Sequence, residues 1–214
     1  MFKIKSDRAQ HVAGHTWLIL LMTVISFSAS ATDQIAPTQQ IAIFAGGCFW
    51  GVDAVFKHVK GVSGVESGYA GGSVATANYD KVSEGKSGHA ESVRVHFNPA
   101  QVSYEQLLQV FFSVAHDPTQ LNRQGPDVGS QYRSAIFYTS TEQQEIAQRY
   151  MQQLTAARTF PAHIVTQVTP LQAFYPAEKI HQNYLALHPN QPYIVINDMP
   201  KLAQLRKQFS ALYQ

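Results

Sequence analysis

The stretch "AGGCFWG", Ala45 to Gly51, holds the only cysteine of the chain, Cys48, between two glycines and two aromatic rings. A thiol with glycine on one side and Phe49 and Trp50 on the other is either a small core side chain or a displayed nucleophile. Three chemistries could use it. A zinc deaminase combines His-x-Glu with Pro-Cys-x-x-Cys, and His89-Ala90-Glu91 imitates the first half, but one cysteine cannot supply the second. A cysteine hydrolase or acyltransferase needs a histidine base, for which His116, beside Asp117, is the best candidate, although His116-Asp117-Pro118 also reads as a helix-ending turn. In redox chemistry the thiolate attacks an oxidised sulfur or a peroxide and becomes a sulfenic acid.

The elements around the cysteine must position it. "QQIAIFA" predicts a buried strand over Ile41 to Ala45, and Val52, Val55, Phe56 and Val59 fall on one helical face. Cys48 then stands where a strand turns into a helix, and the free N–H groups there are expected to lower the thiol pKa. "HAESVRVHFN" alternates as a half-buried strand with Glu91 on the parity of Val93, Val95 and Phe97. A carboxyl on that face would favour its protonated form, although on the strand pattern alone a place at the fraying start, pointing to solvent, is slightly favoured. Tyr79 lies in a Gly- and Ser-rich loop from Gly71 to Gly88, where packing alone could explain it.

The remaining pattern gives a strand over Gly61 to Ala70 and a helix over Ser103 to Ala115, opened by a Ser103/Gln106 capping box. A strand near Arg133 to Thr139 and a helix over Glu142 to Arg158 follow. Beyond them come a strand over His163 to Thr169 and helices near Glu178 to Leu187 and Pro200 to Leu212. Strand, helix, strand, strand, helix, strand is the split βαβ, ferredoxin-like order of an α+β fold, here with extra helices.

At 214 residues the chain suits one sizeable domain with trimmings. Lys3, Lys5 and Arg8, the apolar run Trp17 to Phe27 and the small residues "SASA" read as a secretory signal peptide over residues 1–31. The run of eleven is too short to span a bilayer, which needs about 20 residues. Cleavage is expected after Ala31, with a periplasmic or secreted product, a short polar linker at 32–40 and a catalytic domain over 41–214. Without residues 1–31 the Lys and Arg fall from 16 to 13 and the Asp and Glu from 14 to 13. Neutral charge without a basic cluster argues against nucleic acid as a partner. A lone thiol in an oxidising compartment is a hazard unless it is used.

"GGCFWG", followed by "GYAGG", "NYDKVSEGKSGHAE" and "GPDVGSQYRSAIFY", closely resembles the A-type peptide methionine sulfoxide reductases, from about Ile41 to the C-terminus. The resemblance implies a two-layer α/β sandwich that reduces the S epimer of methionine sulfoxide, free or in proteins. It implies Cys48 as nucleophile, Phe49 and Trp50 as the aromatic pair receiving the substrate methyl, and Glu91 as acid. Tyr79 and Tyr132 match hydroxyl donors, and Asp127 matches a supporting carboxylate. These matches favour site roles for Tyr79 and Glu91 over the packing and solvent readings. Ala77-Asn78-Tyr79 replaces the Pro-Thr-Tyr of many relatives, Ser83 stands where some have cysteine, and the tail lacks the resolving cysteines many relatives carry.

The chemistry needs no metal or organic cofactor, and the expected reductant is a small thiol or a thioredoxin-like protein. The chain is expected to act as a monomer. A thiol peroxidase is the alternative activity, and a sulfoxide-binding module without catalysis is a more distant one.

Overall fold

A computed structural model of the chain describes residues 39–214; the proposed signal segment and most of the linker lie outside the described residues. Its centre is β1 (Gln40–Gly46), in which Ala42 and Phe44 face one side of the sheet and Ile43 and Ala45 the other, all buried. Such continuous burial is what a central strand covered on both faces requires. The chain then enters α1 (Phe49–Lys57) through Gly46 and Gly47. Gly47 has φ +89°, and a Cβ there would lie 2.5 Å from Gln124, so the turn demands glycine on two counts.

β2 (Val62–Ala70) follows, and then a connection that the sequence reads as loop but that contains a 3₁₀ turn at Val74–Thr76 and α2 (Tyr79–Ser83). The signal for α2 is Asn78, whose Oδ1 accepts the Lys81 N–H at 3.1 Å as an N-cap. β3 (Ala90–Phe97) pairs antiparallel with both β1 and β2. α3 (Tyr104–Val110) opens with the expected Ser103/Gln106 capping box and continues as a π turn over Phe111–Ala115. A tight hairpin, β4 (Arg123–Gln124) and β5 (Asp127–Val128), lies in the long loop before β6 (Ser134–Tyr138).

The chain continues through α4 (Thr141–Ala156), β7 (Gln167–Pro170), β8 (Phe174–Pro176), α5 (Tyr184–Leu187) and α6 (Met199–Gln208). The six-stranded sheet runs β7-β6-β1-β3-β2-β8, parallel only between β6 and β7. The result is a mixed α/β fold. Its larger core lies on the Phe44 face, where that ring stacks on Phe56 at 5.1 Å, Phe111 at 4.8 Å and Tyr104 at 6.1 Å.

The structure revises the tail. The strand expected from His163 begins only at Gln167, and β8 was not foreseen. The helix expected over Glu178 to Leu187 breaks into a 3₁₀ turn at Lys179–His181 and the short α5, with Asn183 left-handed at φ +57°. The cause is tertiary: the Gln182 amide accepts the Ser67 N–H at 2.9 Å and donates to the Ser67 carbonyl at 2.8 Å, completing the β2 edge in place of a helical turn.

Because Phe44 is fully buried within three aromatic contacts, Phe44→Ala should cost about 3–5 kcal/mol of stability, read by chemical denaturation. A loss below about 1 kcal/mol would contradict its central place in the core.

Candidate active site

Cys48 is the N-cap of α1, at φ −54° and ψ 123°, and only 9% of its surface is exposed. One of the first free amides of the helix is taken up by a side chain from the sheet: the Phe49 N–H donates to Glu91 Oε2 at 3.0 Å. Glu91 comes from β3, opposite Tyr69 in the β2 ladder, and its side chain is buried. It therefore does not fray into solvent: pairing begins at Ala90, so the first carboxyl of the strand is carried inside by the parity of Val93 and Val95.

Burial pushes the Glu91 pKa up from 4.5 to about 8, with a further rise from Asp127, against the lowering effect of the Phe49 amide. Glu91 is thus mostly protonated at neutral pH and can donate a hydrogen bond. The same burial reverses the expectation for the thiol. Desolvation first, then the carboxyls of Glu91 and Asp198, raise the Cys48 pKa well above its ordinary value, outweighing the Trp50 amide and the Lys201 charge. A helix N-terminus offers only a partial charge, too little to offset a buried site ringed by carboxyls.

All seven residues singled out from the sequence line one cavity of about 200 Å³: Cys48, Phe49 and Trp50 from α1, Tyr79 from α2, Glu91 from β3, Asp127 from β5, and Tyr132 from the 3₁₀ turn at Ser130–Tyr132. Burial and the negative groups nearby hold both the Tyr79 and Tyr132 hydroxyls above their ordinary pKa, so both remain proton donors. Acid, hydroxyls, thiol and apolar rings thus converge on a space sized for a short side chain. The arrangement suits an electrophile whose oxygen takes hydrogen bonds while its neighbouring atom meets sulfur.

Tyr193 is the eighth lining residue, and its hydroxyl donates to Asp127 Oδ2. Others act from behind. Glu178 accepts the Tyr69 hydroxyl at 2.8 Å on one oxygen and the Tyr79 N–H at 2.8 Å on the other, tying α2 to the sheet. The His181 ring stacks on Tyr79 at 4.3 Å, and Tyr184 lies flat on Trp50 at 3.7 Å. None of these carried a sequence signal, because each sits in the tail with no motif around it. His116 is not a base for Cys48: its Nδ1 donates to the Phe111 carbonyl at 3.0 Å and its Nε2 accepts the Ser134 hydroxyl at 2.7 Å. Its burial lowers its pKa to about 4.

The raised Glu91 pKa has a consequence for stability. The folded state binds a proton that the unfolded chain releases above about 4.5, so the stability this group contributes is present at low pH and is lost as pH climbs through about 8. Glu91→Gln should flatten that decline in denaturation measured from pH 5 to 9. An equally steep decline in the variant would place the titration elsewhere.

The peptide methionine sulfoxide reductase family model matches residues 40–213. The peptide methionine sulfoxide reductase MsrA 2 of Mesorhizobium japonicum is 56% identical over 181 residues, covering 85% of this chain and 93% of that protein. The MsrA 2 of Synechocystis is 54% identical over 186 residues, 87% of this chain and 84% of its own. Among solved structures, reduced Mxr1 of Saccharomyces cerevisiae matches with a TM-score of 0.66 at 30% identity, over 73% of this chain and 90% of Mxr1. Methionine sulfoxide reductase A of Corynebacterium diphtheriae matches at 0.64 and 34%, over 73% and 78%. With a match across nearly all the described residues and a thiol, an acid and hydroxyls gathered on one cavity, this chain belongs to the peptide methionine sulfoxide reductase family.

Proposed function

We propose that this protein reduces the S epimer of methionine sulfoxide, free and in proteins, to methionine, repairing oxidised proteins with Cys48 as the nucleophile. The observation that carries this reading is the protonated Glu91 carboxyl on the same cavity as the Cys48 thiol and the Tyr79 and Tyr132 hydroxyls. A sulfoxide is a poor electrophile until its oxygen is protonated or strongly hydrogen-bonded, and these three groups supply that. Trp50 and Phe49 receive the methyl group, since methyl and sulfur pack well on ring faces.

As the Cys48 sulfur attacks the substrate sulfur, Glu91 gives its proton to the oxygen and the thiol proton replaces it on the carboxyl. The hydroxyl then passes from the substrate sulfur to the Cys48 sulfur as the bond between the two sulfurs breaks, so the oxygen ends on Cys48 as a sulfenic acid, the sulfoxide sulfur is reduced, and methionine leaves. Asp127 is held by the Tyr193 hydroxyl, which fixes one wall of the cavity.

The chain has one cysteine, so no intramolecular disulfide can discharge the sulfenic acid. An external thiol, small or on a thioredoxin-like protein, completes the cycle. The thiol, carboxyl and hydroxyls account for the chemistry without a metal or organic cofactor. We take a monomer as the working unit. The order β6-β1-β3-β2, with α1 and α3 as crossovers, supports a ferredoxin-like, split βαβ description of the core as a two-layer α/β sandwich.

We place the mature protein in the periplasm or outside the cell, from the charged, apolar, small order of residues 1–31. The intact mass of exported protein should correspond to a start at Thr32; retention of Met1 to Ala31 in a membrane fraction would refute this.

In single-turnover reduction of the resolved S epimer, Glu91→Gln should slow methionine formation by about 10² to 10⁴ while the fold survives. A folded variant with a near-normal rate would remove the acid role. Without added thiol, wild-type protein should yield about one methionine per Cys48 and leave a sulfenic acid open to dimedone labelling. Repeated turnover under those conditions would refute the single-cysteine cycle.

A further inference from the structure

Cys48 lines not one cavity but two. The second, of about 80 Å³, is bounded by Gln124 of β4, Asp127 of β5, and Tyr193, Asn197 and Lys201 of the tail. Glu91, Tyr79 and Tyr132 line the first and not the second, while the hydrogen-bonded pair Asp127 and Tyr193 lines both and stands between them. The smaller cavity has a fixed cation. The Lys201 ammonium is held 3.1 Å from Asp198 Oδ1, and the Asp198 side chain is fully buried, so this lysine is anchored from inside. Gly51 is what admits that anchor, because a Cβ there would lie 2.1 Å from Asp198 Oδ1.

The chemistry gives the two openings different uses. If sulfoxide reduction proceeds as proposed above, the oxygen left on Cys48 lies in the first cavity, against Glu91 and the tyrosines. Displacing that oxygen requires a thiol to approach the sulfur along the extension of the S–O bond, from the side away from the oxygen. The first cavity is therefore the wrong entrance for the reductant. We propose that the second cavity is the port through which the thiol of the external reductant reaches oxidised Cys48, with Lys201 stabilising the incoming thiolate.

In the port the reductant sulfur bonds to the Cys48 sulfur as the S–O bond breaks. Hydroxide leaves with the thiol proton as water, the Cys48 sulfur is reduced, and the reductant sulfur is oxidised into a mixed disulfide. A second external thiol then attacks the reductant sulfur, releasing Cys48 as a thiol and a disulfide of the two reductant sulfurs. The volume admits a sulfur on a methylene stem and little more, a description that fits both a small primary thiol and the exposed cysteine of a thioredoxin-like protein.

The test separates the two half-reactions in Asn197→Trp, which fills the port, and in Asn197→Ala, which leaves it open. Methionine formed in the first turnover should stay within about twofold of wild type in both. Recycling by 2-mercaptoethanol and by a reduced thioredoxin should fall at least about tenfold in Asn197→Trp and persist in Asn197→Ala. A loss confined to one donor names that donor as the user of the port, and unchanged recycling with both overturns the proposal. On the wild-type protein, recycling by a primary thiol should exceed that by a tertiary thiol by more than their ratio towards a small free disulfide; an equal ratio overturns it even if Asn197→Trp does not fold. A first turnover yielding no methionine in wild type would instead refute the sulfoxide reaction on which the port rests.

Discussion

The hydrogen bond from the Phe49 amide to Glu91 at the start of α1 is the constraint on which the site depends. Cys48 is the N-cap of that helix and the N–H of the next residue, Phe49, goes to Glu91, so acid and thiol are fixed to the same turn of helix. The arrangement works only if β3 delivers Glu91 to the end of β1, and the antiparallel ladder from Gln40 opposite Phe97 to Phe44 opposite Val93 does this. A slip of one residue would turn Glu91 to the opposite face and leave the Phe49 amide unpaired in the interior.

Around that turn the protein gathers three buried or half-buried carboxyls, Glu91, Asp127 and Asp198, and a single nearby ammonium, Lys201. The balance keeps protons on the groups that must give them. Glu91 is held towards its neutral form and Cys48 towards the thiol. Asp198 is raised as well, chiefly by burial, with Lys201 pulling in the other direction. A lone cysteine in such surroundings is guarded until an electrophile accepts the acid's proton.

The tail closes the site without contributing a cysteine. Glu178 bridges Tyr69 and the Tyr79 backbone, His181 and Tyr184 back the aromatic rings, Tyr193 pins Asp127, and α6 packs against α1 where Gly51 leaves room for Asp198. These contacts join residues 66 or more positions apart, and the irregular local geometry of the tail follows from them. The 3₁₀ turn at Lys179–His181 and the left-handed Asn183 exist because Gln182 is engaged with Ser67.

The sequence by itself determined the one candidate for a thiol nucleophile, since a chain with one cysteine leaves no choice, and with it the need for an external reductant in the proposed cycle. It also determined the elements flanking that cysteine, because strand and helix periodicities are local and α1 and β1 are strongly patterned. The seven residues that meet on the larger Cys48 cavity were legible through their motifs. Only the tertiary structure decided their protonation, and it reversed the sequence expectation for Cys48, because desolvation depends on which distant residues exclude water and which carboxyls they bring. Glu178, His181, Tyr184 and Tyr193 were invisible for the same reason: a glutamate, a histidine and two tyrosines in an unpatterned tail acquire a role only when long-range packing gives each a partner, and no local periodicity encodes that pairing.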